Sequence, residues 1–271
     1  MERAISKNRN GGNVNYKLLT DTAVLAGEIM LSSGAETYRV EDTMCHILKT
    51  SRCESIEAFA LMTGIVATIN SDDMEQPITV VKTINDRTTN LNNVIKVNAI
   101  SRKYCAGELN LEEAYVQLKC VKEKQYTRTV FNIATALIAT GFAMMLGGSI
   151  IDVAVATVVG LCLAVCITVG KLIKMNSILV DIFSCMVIAM ITMTLKNFGI
   201  AELNMDIVIV SAIMPIVPGV AITNAIRDTL QGDYLSGCAR ILEAFLKAAS
   251  IALGVGIGMA FFYMLIGGGV L

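Results

Sequence analysis

The sequence predicts an α-helical membrane protein with five transmembrane helices, preceded by a small cytoplasmic α+β domain with an antiparallel sheet. The first observation is the charge distribution. The first 128 of the 271 residues hold sixteen Lys or Arg and sixteen Asp or Glu, against six and seven in the rest. The second is five apolar stretches after that point, each near the roughly 17–25 residues that cross a bilayer. This combination favours transport, signalling or membrane-tethered chemistry.

The domain organisation follows from these stretches. We expect a disordered tail over residues 1–15, the cytoplasmic domain over 16–128 and the transmembrane domain over 129–271. The predicted spans are 129–147, 150–170, 177–195, 207–223 and 246–267. Small residues recur every fourth position in several spans, which predicts close helix packing within one bundle, with a dimer face as the alternative.

Loop charges predict the orientation of the spans. Lys171 and Lys174 follow the second span, whereas the turn after the first span has no Lys or Arg. Basic residues mark cytoplasmic loops, so we expect a cytoplasmic N-terminus and an extracytoplasmic C-terminus in a bacterial plasma (inner) membrane. The N-terminus lacks the apolar core of a cleavable signal peptide.

The charged half has alternating helix and strand signals. Apolar residues recur with a helical period over 16–33, Gly34 suits a C-terminal cap, and a second helix is expected from about Glu36. Two alternating runs over 55–70, divided near Thr63 and Gly64, and a third run after Pro77 predict three strands. A turn is expected at Asp72 and Asp73, and two helices at 90–106 and 111–125.

Composition and motifs exclude several functions. A net charge of −1 and no basic stripe with interleaved aromatics give no support for nucleic acid binding. The eight cysteines form no CxxC pair and His46 is the single histidine, so we expect free thiols, no metal site and no cofactor. The sequence has no P-loop, GxSxG or HExxH motif, so a hydrolase is disfavoured.

The fourth span contains an unusual break. Pro215, Pro218 and Gly219 interrupt it, and each proline frees a backbone carbonyl, those of Ser211 and Met214. Pro215 lies about nine residues into the span, roughly 14 Å deep, where transporters place unwound substrate-binding backbone. The alternative is an ordinary proline kink.

Polar residues continue beyond this break. Asn224 and Asp228 share a helix face, with Arg227 beside them, and this group is suited to a small zwitterion or anion. We expect Arg227 with Asn224 to engage a substrate carboxylate, with Asp181 or Asp228 carrying a coupled proton. The alternative is that these residues are interfacial anchors in a cytoplasmic loop. Asp152, at the start of the second span, is a weaker candidate than Asp181.

Two blocks, GAETYRVEDTM at 34–44 and the run from 218 to 255, resemble the threonine/serine exporter family. The resemblance extends from about residue 17 to 267 and implies an N-terminal module of a cytoplasmic domain and five spans. It marks signature residues without assigning them roles: Gly34, Glu36, Arg39, Glu41, Pro218, Gly219, Asn224, Arg227, Asp228, Gly232, Asp233, Gly237 and Arg240. Arg39 and Glu41 suit domain contacts or the cytoplasmic mouth of a transport path.

The resemblance also implies an assembly. Full-length members carry a second set of spans, whereas this sequence stops at Leu271 and so resembles the larger subunit of a split exporter. A small all-membrane partner then supplies the second half, with a homo-oligomer as another arrangement. Split members are associated with export of succinate, and the lack of an ATP-binding motif implies drive by the proton-motive force. A membrane-anchored enzyme and a metabolite sensor are the alternatives to transport of a small molecule.

Overall fold

A computed structural model of the protein describes residues 15–71, 74–121, 126–200 and 202–266. The predicted turn at Asp72 and Asp73 and all but the last residue of the predicted tail (1–15) therefore lie outside the described residues. The helices and strands before residue 126 are α1 (Tyr16–Ser32), α2 (Thr37–Leu48), β1 (Ser55–Leu61), β2 (Gly64–Asn70), β3 (Ile78–Thr83), α3 (Leu91–Cys105) and α4 (Leu111–Val121). Those after it are α5 (Arg128–Met145), α6 (Ile150–Leu172), α7 (Ser177–Phe198), α8 (Met205–Ile213), α9 (Gly219–Leu230) and α10 (Tyr234–Leu265).

The chain forms two compact units. The first unit comprises Met1–Glu123 and Val220–Ile241, and the second comprises Lys124–Gly219 and Leu242–Leu271. The structure thus departs from the division at residue 128, because α9 and the start of α10 group with the first unit. The physical reason is a set of hydrogen bonds between α9 and the loop before α2, described below.

A three-stranded antiparallel sheet forms one layer of the first unit, as the alternating runs predict. β2 is the central strand, with Ala67 opposite both Ala58 and Val80. Alternation along β2 places Ile65, Ala67 and Ile69 in the interior of the unit. These side chains join buried residues of α1 to α4 in one apolar core. The four predicted helices of this half are confirmed, within the described residues.

Long apolar helices dominate the second unit. Among the described residues, four helices (α5, α6, α7 and α10) have the length and composition of membrane spans. The count is five if the bent pair 205–216 and 219–230 is one span, with a bend of 57°. The stretch predicted as one span at 207–223 is therefore two helices. α10 begins at Tyr234, twelve residues before the predicted start at 246. The prediction followed apolar residues alone, whereas residues 234–245 are helical and include charged side chains.

Glycines allow close packing in the second unit. A Cβ atom added at Gly160 would lie 2.6 Å from Ala139 Cβ, and one at Gly258 would lie 2.6 Å from the carbonyl oxygen of Met186. Gly254 is equally restricted, since its Cβ would lie 2.7 Å from Cys185 Cβ. These contacts confirm that the small residues pack helices against each other within one bundle.

Candidate functional site

The turn between α1 and α2 exposes backbone acceptors in the first unit. Gly34 has φ +85°, which permits a Schellman cap with hydrogen bonds from Gly34 N–H to Leu31 and from Ala35 N–H to Met30. The predicted cap is confirmed. Because the chain turns sharply here, the carbonyl groups of Gly34 and Ala35 accept hydrogen bonds from other segments.

Those hydrogen bonds come from residues about 200 positions later in the chain. Asn224 of α9 donates its side-chain N–H to the Gly34 carbonyl at 2.7 Å. Arg240 of α10 donates from Nη2 to the Ala35 carbonyl, also at 2.7 Å. Two signature blocks that are distant in sequence therefore meet in the first unit.

Asp228 caps the N-terminus of α2 from a different helix. Its carboxylate accepts hydrogen bonds from the backbone N–H of Thr37 at 3.0 Å and from the Thr37 hydroxyl at 3.1 Å. Glu36, which precedes the helix, makes no side-chain capping bond, so Asp228 performs this task. Asp228 is fully buried, and Arg240 Nε lies 2.8 Å from its Oδ2, which neutralises the charge.

Glu36 lies between two arginines. Arg39, one turn later on α2, lies 3.3 Å from Oε2, and Arg227 of α9 donates a hydrogen bond to Oε1. The spacing of three residues allows Glu36 and Arg39 to pair on neighbouring positions of the helix surface. Burial alone would raise the pKa of Glu36, but hydrogen bonds from its own backbone N–H and from Arg227, together with the charge of Arg39, hold that pKa below its ordinary value.

We call these eight residues the signature cluster: Gly34, Ala35, Glu36, Thr37, Asn224, Arg227, Asp228 and Arg240. Next to the cluster, Glu41 accepts a hydrogen bond from the backbone N–H of Ala60 at 2.9 Å. Burial, with the nearby negative charges of Asp233 and Asp228, raises the pKa of Glu41. Burial and the charge of Asp228 also raise the pKa of Asp233. Glu36, at the N-cap of α2, and Glu41, on α2 itself, therefore have opposite electrostatic surroundings.

Three residues that the sequence predicts to bind the substrate belong to this cluster. Asn224, Arg227 and Asp228 all bond to protein groups of the first unit, so a substrate that uses them must displace those groups. Their roles in substrate binding or proton transfer stay predictions. Sequence reasoning missed the capping of α2, because the Asp228 carboxylate and Thr37 are 191 residues apart.

The break in the second unit lies between α8 and α9. Pro215 is part of a short 3₁₀ turn, Met214–Ile216, and Pro218 follows before α9 begins at Gly219. One expectation is wrong here: the Met214 carbonyl is not free, because it accepts a hydrogen bond from Val217 N–H at 3.3 Å. The tight 3₁₀ turn replaces the bond that Pro218 removes.

A cavity of about 510 Å³ borders this break inside the second unit. Its lining is almost wholly apolar and comes from α8, the break and α10. Pro218 and Val217 form one wall, Ala252 and Gly256 form another, and Asp206 is the charged residue of the lining. The cavity is large enough for a small metabolite.

Two acids of the second unit have different partners. Asp152 closes a capping box with Ser149 at the start of α6 and accepts the Asn204 N–H at 2.8 Å. It is a structural residue at the helix end. Asp181, on α7, is also buried, and Lys247 of α10 lies 4.0 Å from its carboxylate. Lys247 was missed as a candidate because its partner lies on a different helix.

His46 lies on the exposed face of α2. Its Nδ1 is 2.7 Å from the Asp42 carbonyl oxygen, one helical turn earlier. Within the part of the chain that the structure describes, no group of three or more His, Cys, Asp or Glu side chains is placed to hold a metal ion.

Comparison with known proteins points to one family. The model of the threonine/serine exporter family matches residues 21–262. A relative from Mycobacterium tuberculosis (strain ATCC 25618 / H37Rv), named "Probable threonine/serine exporter", is 22% identical over 257 residues, 92% of this chain. The chain spans about half the length of this curated relative, 48%. No solved structure matches the chain.

Proposed function

The chain belongs to the threonine/serine exporter family, and we propose that it is a membrane subunit of a secondary transporter that exports threonine or serine. The cavity beside the broken helix carries this proposal. Broken backbone at membrane depth is tolerated where it is buried in protein or lines a cavity, and such breaks form substrate sites in transporters. Val217 and Pro218, which form the break, line the cavity directly.

The membrane orientation is part of the proposal. We infer a bacterial plasma membrane, with the first unit in the cytoplasm and the C-terminus outside. The supporting observation is the distribution of basic residues: Lys171 lies in the last turn of α6 and Lys174 just after it, whereas the turn between α5 and α6 contains no Lys or Arg. The membrane helices and the family together show a multi-pass membrane protein.

A second component completes the proposed transporter. The curated relative is about twice as long as the matched region, so its other half has no counterpart in the matched part of this chain. We propose that a small all-membrane protein supplies the equivalent spans. Energy then comes from the proton-motive force, since the sequence has no P-loop for ATP. The resemblance to split members gives succinate as the second candidate substrate.

Reconstitution tests the proposal. The chain, alone or with a small all-membrane protein sought in the neighbouring reading frames, is placed in liposomes that contain labelled threonine, serine or succinate. A pH gradient is then imposed, with a protonophore as the control. We expect gradient-dependent release of threonine or serine that requires both chains.

Three results decide between the alternatives. Release of succinate alone would replace the proposed substrate while retaining transport. Release that is unaffected by the protonophore would refute proton coupling. No release of any of the three solutes by the complete pair would contradict the proposed function.

A further inference from the structure

The ion pair between Asp181 and Lys247 is loosely made. The two atoms nearest each other, Asp181 Oδ2 and Lys247 Nζ, are 4.0 Å apart, which is longer than a hydrogen bond. The carboxylate side chain is 8% exposed and the lysine side chain 37% exposed. Charged groups in membrane helices are costly, and a pair at this separation leaves room for an additional polar group to bond to both.

A second polar group on the same helix also lacks a partner. Ser184 lies one turn after Asp181 on α7, is 1% exposed, and its hydroxyl has no hydrogen-bond partner among the described residues. Other buried hydroxyls of this unit bond to their own helices. Thr192 donates to the Ile188 carbonyl at 2.8 Å, and Ser250 donates to the Leu246 carbonyl at 2.7 Å. The Ser184 hydroxyl is therefore an exception, since a buried polar group normally has a hydrogen-bond partner.

We propose that Asp181, Ser184 and Lys247 bind the substrate as an α-amino acid zwitterion with a side-chain hydroxyl. The substrate ammonium bonds to Asp181, its carboxylate to Lys247, and its hydroxyl to Ser184. The ligand replaces one loose ion pair by two closer ones and satisfies the orphan hydroxyl. This inference rests on the proposed transport function and assigns the binding of its substrate to three residues.

Charge complementarity separates the two candidate substrates. A zwitterion presents one positive and one negative group, which match Asp181 and Lys247. Succinate presents two negative groups, and one of them would face the Asp181 carboxylate, which repels it. Lys171 is another cation whose charge acts on Asp181, and it serves below as the matched control for Lys247.

The cavity and the proposed site share α10. Ile251, one helical turn after Lys247 on α10, packs in the core of the second unit and also lines the cavity. Ala248, the residue after Lys247, lines it as well. Asp181, Ser184 and Lys247 themselves are not lining residues, so the proposed site is separate from the cavity.

Binding of labelled threonine to the purified complex tests this assignment, with unlabelled analogues as competitors. Each analogue lacks one group: 3-hydroxybutyrate lacks the ammonium, 1-amino-2-propanol the carboxylate and 2-aminobutyrate the hydroxyl. The Asp181→Asn variant should lose the preference for threonine over 3-hydroxybutyrate. The Lys247→Met variant should lose the preference for threonine over 1-amino-2-propanol. Ser184→Ala should lose the preference over 2-aminobutyrate. Each loss should be about tenfold or more, because a site built to bond a group rejects analogues that lack it.

Matched variants control for structural damage. Lys171→Met removes a neighbouring cation and Ser250→Ala a buried hydroxyl that is already bonded, and both should keep all three preferences. Gel filtration checks folding, and Ser184→Ala keeps the test available if a charge variant fails to fold.

Two outcomes separate the proposals. If the wild type binds threonine and the three variants keep the wild-type preferences, the site assignment is overturned while the proposed function stands. If the wild-type complex binds neither threonine nor serine, or prefers succinate, the proposed substrate fails together with the site.

Discussion

A buried carboxylate is bonded differently in the signature cluster of the first unit and in the Asp181–Lys247 pair of the second. In the cluster, the Asp228 carboxylate has two hydrogen bonds from Thr37 and an ion pair with Arg240 at 2.8 Å. In the pair, the carboxylate and the ammonium are 4.0 Å apart. A carboxylate whose two oxygens are both bonded by protein groups holds those groups together, whereas one without such bonds has bonding capacity for a ligand. The cluster is therefore an anchor, and we propose that the pair is a binding site.

The largest effect should come from breaking the cluster at Asp228. Asp228→Ala removes the cap of α2 and leaves Arg240 buried without its counter-charge, which should lower the free energy of unfolding by about 3–5 kcal/mol. The exposed Asp42 on α2 is the matched control, and its replacement by Ala should cost less than about 0.5 kcal/mol. Thermal melts followed by circular dichroism compare the two. Equal melting temperatures would show that the cluster does not hold α9 in place.

Packing in the second unit gives the next effect. Gly160→Ala places a methyl group 2.6 Å from Ala139 Cβ, and overpacking of this kind costs about 1–3 kcal/mol. Gly256→Ala is the matched control, because nothing lies within 4 Å of its added Cβ and Ala favours a helix by up to about 1 kcal/mol. The melting temperature should fall for the first variant and stay or rise for the second. The reverse order would contradict the close contact between α5 and α6.

Glu36, which precedes α2, and Glu41, on α2, should respond to pH in opposite directions. The folded pKa of Glu36 lies below its ordinary value of 4.5, so its ionisation stabilises the protein above that pKa and the contribution is lost on acidification. The folded pKa of Glu41 lies above 4.5, so its ionisation opposes folding as the pH rises through that pKa. At pH 7, Glu36→Gln should lower the melting temperature and Glu41→Gln should raise it. The Glu41 difference should shrink as the pH falls through the raised pKa of Glu41 towards 4.5, and the Glu36 difference at lower pH, as the pH falls through the lowered pKa of Glu36. A shift of the same sign in both variants would disprove the contrast.

The smallest effect should come from the exposed rim of the cluster. The Arg227 side chain is 56% exposed, so Arg227→Ala removes a partly solvated ion pair with Glu36, of a type typically worth about 0.2–1 kcal/mol. Arg240→Ala is the buried counterpart and should destabilise far more, since it leaves Asp228 unpaired. The melting temperatures of the two variants show whether burial determines how much each arginine contributes to stability. Equal decreases in melting temperature would show that it does not.

The sequence predicted those parts of the fold that local periodicity determines. The alternation over 55–70 gave β1 and β2, and the helical period over 16–33 with Gly34 gave α1 and its cap. The position of α9 was not predictable in this way. A polar helix face with Asn224 and Asp228 is equally compatible with water, a substrate or another segment, and its partners lie about 190 residues earlier.

The candidate site was predictable in part for the same reason. Asp181 was identifiable as an acid inside an apolar stretch, which needs no knowledge of its neighbours. Lys247 resembled an interfacial residue near the predicted start of its span, and its relation to Asp181 depends on how α7 and α10 pack. Ser184 gave no signal in sequence, because a missing hydrogen bond is a property of the folded state.

The most direct test of the anchor and binding-site assignments is threonine counterflow in proteoliposomes by three proteins: the wild type, Lys247→Met and Arg227→Ala. The sequence-based hypothesis placed the substrate carboxylate on Arg227, whereas we propose that it binds Lys247. We predict that Arg227→Ala keeps counterflow within about twofold of the wild type and that Lys247→Met loses it by about tenfold or more. Wild-type counterflow by Lys247→Met, with loss in Arg227→Ala, would contradict both assignments.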